Sequence, residues 1–120
     1  MTLEERKTLV NLYLGKMVDI QIDRPLGSVH PKHPDLIYPI NYGYLPNVTG
    51  GDGEELDVYL LGITVPVIEY TARIIGIIHR YNDIEDKLVA APEGIHFTPK
   101  EIANAVHFQE QYYEIEVEAI

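Results

Sequence analysis

Asp52, Glu54 and Asp57 fall within one short run, Asp52-Gly53-Glu54-Glu55-Leu56-Asp57, at the mouth of an aliphatic segment. A turn there can bring the carboxylates toward one point, and hard cations such as Mg2+ prefer oxygen ligands. Like charges this close resist joint ionisation unless a cation neutralises them. The same residues also make an ordinary acidic hairpin turn, since Asp-Gly is a favoured turn dipeptide. Taken alone, they fit the turn better. The spacing is not that of an EF-hand, which needs alternating ligands and a distal Glu. A second acidic group, Asp83, Glu85 and Asp86, is followed at once by Lys87. It reads as a polar hairpin loop or, joined to the first group, as a site for cations and a phosphate. The third element, Tyr38-Pro39-Ile40-Asn41-Tyr42-Gly43-Tyr44, is dense in phenols. Their hydroxyls can donate to phosphate oxygens, although clustered tyrosines more often pack a barrel.

The segments around these residues must position them. Residues 2–14 carry Leu3, Val10 and Leu14 at helical spacing with acids in the first turn, which predicts a short N-terminal helix. Residues 17–23, MVDIQID, alternate as a half-buried strand does. Residues 24–46 are broken by seven Pro and Gly residues, Pro25, Gly27, Pro31, Pro34, Pro39, Gly43 and Pro46, and read as an irregular connection with at most short strands. Strands are expected at 56–64, 71–81 and 87–91, each rich in aliphatic or β-branched residues. Thr98-Pro99-Lys100-Glu101 is a capping box with proline at the first helical position, opening a helix that should run to about Gln111. Residues 115–120 alternate again as a last strand. The expected fold is α+β and mainly β: a small five-stranded barrel with a short N-terminal helix and a C-terminal helix.

A length of 120 residues is that of one domain, here residues 1–120. Cysteine is absent, which fits a reducing compartment and excludes thiolate chemistry. No apolar h-region follows the charged N-terminus, and no apolar run approaches the ~20 residues of a membrane span. A cytoplasmic location without membrane association is therefore expected. Net charge is −10, from 19 acidic and 9 basic side chains. That balance repels nucleic acid, and no basic-aromatic stripe is visible. It suits a protein that gathers divalent cations, but from net charge alone a solvated acidic surface fits better. His30 and His33 stand in a proline-rich loop without the further ligands a zinc site needs. No P-loop, G-x-G-x-x-G or Ser-centred elbow is present.

In order and spacing, the segments Tyr38–Tyr44, Asp52–Val58, Gly76–Ile78 and Asp86–Val89 resemble the family I soluble inorganic pyrophosphatases from about Tyr38 to Pro92, with a weaker match through His107–Tyr112. The resemblance implies an OB-type barrel flanked by helices, Mg2+ as cofactor, and hydrolysis of pyrophosphate to two phosphates by metal-activated water. It implies Asp52, Glu54 and Asp57 as the metal-binding triplet, with Glu54 as general base. Tyr38 and Tyr42 match tyrosines lining the site, Tyr112 a phosphate-contacting tyrosine, and Lys87 a lysine beside the second acidic loop. Asp83 and Glu85 would add metal ligands, with Asn82 also a candidate at the first of these because the 81–86 loop is shorter than the family's. Arg24 would stand in for the family's arginine, the alternative being a surface arginine.

Several positions depart from the pattern. Glu54 stands where the family has aspartate, one methylene shorter. Tyr113 stands where the family has a phosphate-binding lysine. The hairpin that carries a lysine and a glutamate upstream is missing, leaving Lys32 as either another cation or a solvated loop lysine. The phosphate grip is thinner than in full-length members, so two other readings stay open. One is a metal-dependent hydrolase of another phosphoanhydride; the other is a non-catalytic barrel that binds a ligand or protein partner. The resemblance allows a homo-oligomer, while the apolar Ile74–Ile78 run is equally explained as barrel core.

Overall fold

The computed structural model of the protein describes residues 2–50 and 53–120, so Asp52 lies outside the described residues. Its elements in chain order are α1 (Leu3–Asn11), β1 (Met17–Arg24), β2 (Asn41–Thr49), β3 (Glu55–Leu60), β4 (Glu69–Arg80), β5 (Lys87–Ala91), α2 (Pro99–Glu110) and β6 (Ile115–Ala119). Both helices open with reciprocal caps. Thr98 Oγ1 accepts the Glu101 N–H while the Glu101 carboxylate accepts the Thr98 N–H, and Thr2 with Glu5 repeats the arrangement at α1. Each cap satisfies backbone donors that a helix start leaves without partners.

β1 pairs antiparallel with β2 along one edge and with β4 along the other; β2 pairs with β3, β3 runs parallel to β5, and β5 pairs antiparallel with β4. The circuit β1-β2-β3-β5-β4 therefore closes into a five-stranded barrel. β6 stays outside the circuit. It continues along the edge of β4 where β1 leaves off: β1 pairs with residues 69–73 and β6 with 76–80.

β2 corrects the expectation for residues 24–46, because the barrel needs a nine-residue strand that begins within that proline-rich stretch. Gly43 makes the strand possible. A Cβ there would sit 1.9 Å from the Gln21 carbonyl oxygen, so only glycine lets β1 and β2 close on each other. Pro46 has no N–H for a ladder, and it lies where the ladder with β3 is interrupted. The register jumps from Tyr44↔Asp57 to Thr49↔Glu55, with Asn47 at φ 64° inside the bulge. β3 stops at Leu60, short of the expected residue 64.

Side-chain alternation divides the core. Ile20, Ile22, Leu56, Val58, Leu60, Leu88 and Ala90 fill the barrel, joined by Val10 of α1. Tyr59, Leu61, Val89 and Ala91 face outward and pack under Ile102 and Val106 of α2. On β4, Ala72 and Ile74 point inward but so does Ile77, because a bulge between Ile74 and Gly76 shifts the parity by one. Ile75 and Ile78 consequently join the outer layer. No helix among the described residues is long and apolar enough to cross a membrane.

Candidate active site

The same alternation places Asp57 and Lys87. Val58 and Leu88 are partners in the parallel β3–β5 pair and point inward; the residue before each points outward, side by side. Lys87 Nζ donates to Asp57 Oδ2 at 2.6 Å and to Glu85 Oε1 at 2.5 Å, with its side chain only 3% exposed. It also lies 5.5 Å from the centre of the Tyr42 ring. A lysine buried to this degree stays charged only when paired, and two carboxylates supply the pairing.

Arg80, at the end of β4 on the same outer face as Ile78, forms a second cationic centre. Its Nε and Nη2 meet Oε1 and Oε2 of Glu110 at 2.8 and 2.5 Å. Nη1 donates to Asp83 Oδ2 at 2.9 Å and to Glu85 Oε1 at 3.3 Å. The Tyr113 ring covers the guanidinium, 3.7 Å from its central carbon. Burial works against this charge, but the hydrogen bonds and charge of Glu110 outweigh it and hold the guanidinium above its already high ordinary pKa. Glu110 also accepts from Tyr59 Oη at 2.5 Å. Gln109 Nε2 donates to Tyr59 Oη at 2.8 Å, and Gln109 Oε1 accepts from Tyr38 Oη at 3.1 Å. Burial, then the charges of Asp57 and Glu85, keep the Tyr42 phenol well above its usual pKa, and burial with Glu110 does the same for Tyr59. Both phenols are therefore neutral donors.

Of these groups Lys87, Asp57, Glu85, Arg80, Tyr113, Tyr38, Tyr42 and Gln109 border a cleft of about 440 Å³ between the outer barrel face, the His30–His33 loop and the end of α2, with Tyr59 and Glu110 buried behind it. Of the residues singled out by sequence, Arg24, Tyr38, Tyr42, Asp57, Glu85, Lys87 and Tyr112 all line it, as does Lys32. Glu54 is exposed in the bend before β3 and is not among the lining residues. Asp83 turns to Arg80, while Asn82 Oδ1 accepts the Glu114 N–H. Asp86 is buried against Arg6 of α1, Oδ1 to Nη2 at 2.9 Å. Among the described residues no three or more His, Asp and Glu side chains converge as a ready metal-ligand set.

Sequence reasoning assigned no role to Arg80, Glu110, Tyr59 or Gln109. Glu110 carried a signal. With Ile102 and Val106 it continues a four-residue spacing along the face of α2 that packs on the barrel, and a glutamate on a buried stripe requires a cation. The cation itself, 30 residues away, was not marked by any local pattern.

Residues 15–118 match the pyrophosphatase family model, described as inorganic pyrophosphatase. The chain is 34% identical to the inorganic pyrophosphatase of Saccharolobus solfataricus, over 81% of this chain and 62% of that protein. It is 29% identical to that of Caulobacter vibrioides, over 65% of this chain and 48% of that protein. The chain thus spans about half to three-fifths of the length of these relatives. The crystal structure of inorganic pyrophosphatase from Ehrlichia chaffeensis superposes with a TM-score of 0.68 at 22% identity, covering 89% of this chain and 88% of that one. For that from Neisseria gonorrhoeae the score is 0.60 at 24% identity, covering 82% and 74%. These two likenesses establish the fold.

Proposed function

Because the chain belongs to the inorganic pyrophosphatase family, we propose that its cleft hydrolyses inorganic pyrophosphate to two phosphates, with Mg2+ as cofactor. The observation that carries this reading is the convergence of Asp57 and Glu85 on Lys87 at the wall of a cleft that Arg24 also lines. Carboxylates and cations alternating over a few ångströms suit a polyanion that arrives with its own divalent counter-ions. The lack of cysteine and the charge of −10 favour a cytoplasmic protein that does not bind nucleic acid.

The donor set fits Mg2+. Two anionic oxygens already share one cation, and Mg2+ is typically held by one or two carboxylates, with water and substrate phosphates completing its shell. Asp57 and Glu85 would hold it, together with Asp52 from outside the described residues. When bound, the metal supplies Lewis-acid charge that neutralises phosphoryl oxygens and makes water more acidic. The remaining work falls to the chain. Lys87 and Arg24 attract the phosphoryl oxygens, Tyr42 and Tyr38 line the path as neutral hydroxyl donors, and Tyr112 adds a further hydroxyl. Water oxygen forms a bond to one phosphorus as the bridging P–O bond breaks. Glu54, in the bend leading into β3 and outside the cleft lining, would take the proton that water loses once its carboxylate reaches the cleft.

Phosphate release by purified protein, with and without Mg2+, tests the reading. Release should depend on Mg2+, fall by two or more orders of magnitude in Asp57→Asn, and fall sharply in Glu54→Gln with the fold intact. Undiminished turnover in Glu54→Gln would move the base elsewhere. A folded protein that binds Mg2+ yet releases phosphate only from longer phosphoanhydrides would replace pyrophosphate as the substrate.

A further inference from the structure

The site's acidic groups are not all available to a metal, because the chain brings a cation of its own. Arg80 commits four N–H groups to carboxylates: two to Glu110, one to Asp83 and one to Glu85. Guanidinium has five such donors and does not lose its charge in proteins. Glu110 is 1% exposed, and Tyr59 fills a further lone pair on it, so a divalent ion could reach this carboxylate only by breaking a buried fork. The Tyr113 ring lies over the guanidinium, 3.7 Å from its central carbon, and both residues line the cleft. Lys87 differs. It is a single ammonium held between Asp57, 30% exposed, and Glu85, with no covering ring of comparable closeness.

We propose that Arg80 is a resident counter-ion that permanently neutralises Glu110 and Asp83 and so withholds these two carboxylates from divalent cations. The proposal rests on the cation-binding half of the function proposed above and not on turnover. The role it gives Arg80 is to hold the β4–β5 loop to α2.

Counting Mn2+ bound per chain by electron paramagnetic resonance and calorimetry, without substrate, tests it. Asp83→Asn should leave the count and affinity of bound Mn2+ within about twofold of the unaltered protein; loss of an ion, or a tenfold weakening, would overturn the proposal. The pair Arg80→Met/Glu110→Gln removes the counter-ion and its buried partner together, so no lone charge is stranded. If folded by circular dichroism, it should bind one more Mn2+ per chain than the unaltered protein; an equal count overturns the proposal. Should the pair not fold, the Asp83→Asn comparison decides. Asp57→Asn serves as a separate arm: if it keeps full Mn2+ binding, the cation site of the proposed function fails, while the Arg80 comparison still stands.

Discussion

Tyr42 and Tyr59 show how single side chains set the chemistry of this cleft. Both phenols are buried beside carboxylates and hold their protons well beyond the usual tyrosine pKa. In the unfolded chain they ionise near pH 10. Above that pH the unfolded state therefore binds fewer protons than the folded one, and stability falls. It is fully present below about pH 10 and lost as the pH climbs toward the higher folded values. The thermal midpoint should drop above pH 10, and the drop should be shallower in Tyr42→Phe and Tyr59→Phe. At neutral pH, Tyr59→Phe strands one hydrogen-bond demand on a buried carboxylate and should cost about 1–3 kcal/mol, read by urea titration.

Elements act through close approaches rather than through propensity. Adding a methyl group at Gly43 places carbon against the Gln21 carbonyl, so Gly43→Ala should separate β1 from β2 and cost about 3 kcal/mol or more in urea unfolding. α1 is attached by Arg6, which donates to the carbonyls of Arg80 and Asp83 and to Asp86 Oδ1. Asp86 has its other oxygen buried without a hydrogen-bond partner among the described residues, so Arg6→Met leaves a buried carboxylate poorly compensated and should cost about 3–5 kcal/mol. Pairing it with Asp86→Asn should recover part of that loss. Much at this scale was legible in sequence. The capping box at Thr98, the alternation of β1 and the bounds of β5 follow from local chemistry. β2 was hidden because its strand character rests on a neighbour's carbonyl and on a bulge that accommodates Pro46, neither of which is local.

For the whole molecule, the decisive pairings join distant residues. Arg24, Tyr42, Asp57, Glu85 and Lys87 could be named from motifs, since each motif carries its own residue types. The Arg80–Glu110 fork and the Arg6–Asp86 pair could not, because only the closed barrel and the seating of α2 bring those partners together. A molecule of charge −10 whose cleft loads Mg2+ as proposed should also be stabilised by the cation itself. Mg2+ at about 100 times its dissociation constant should add ~2.7 kcal/mol. A chelator should reverse the rise in thermal midpoint, and Asp57→Asn should abolish it.

The parallel pairing of β3 with β5 has a consequence for how this chain can vary. Lys87 stands beside Asp57 because Val58 and Leu88 share a rung, not because of the length of chain between them. Residues added to or removed from the 81–86 hairpin alter which acids hang over the cleft, while the distance from lysine to aspartate is read off the sheet like a mark on a ruler. A shortened hairpin therefore edits the ligand inventory and leaves the central ion pair where it was.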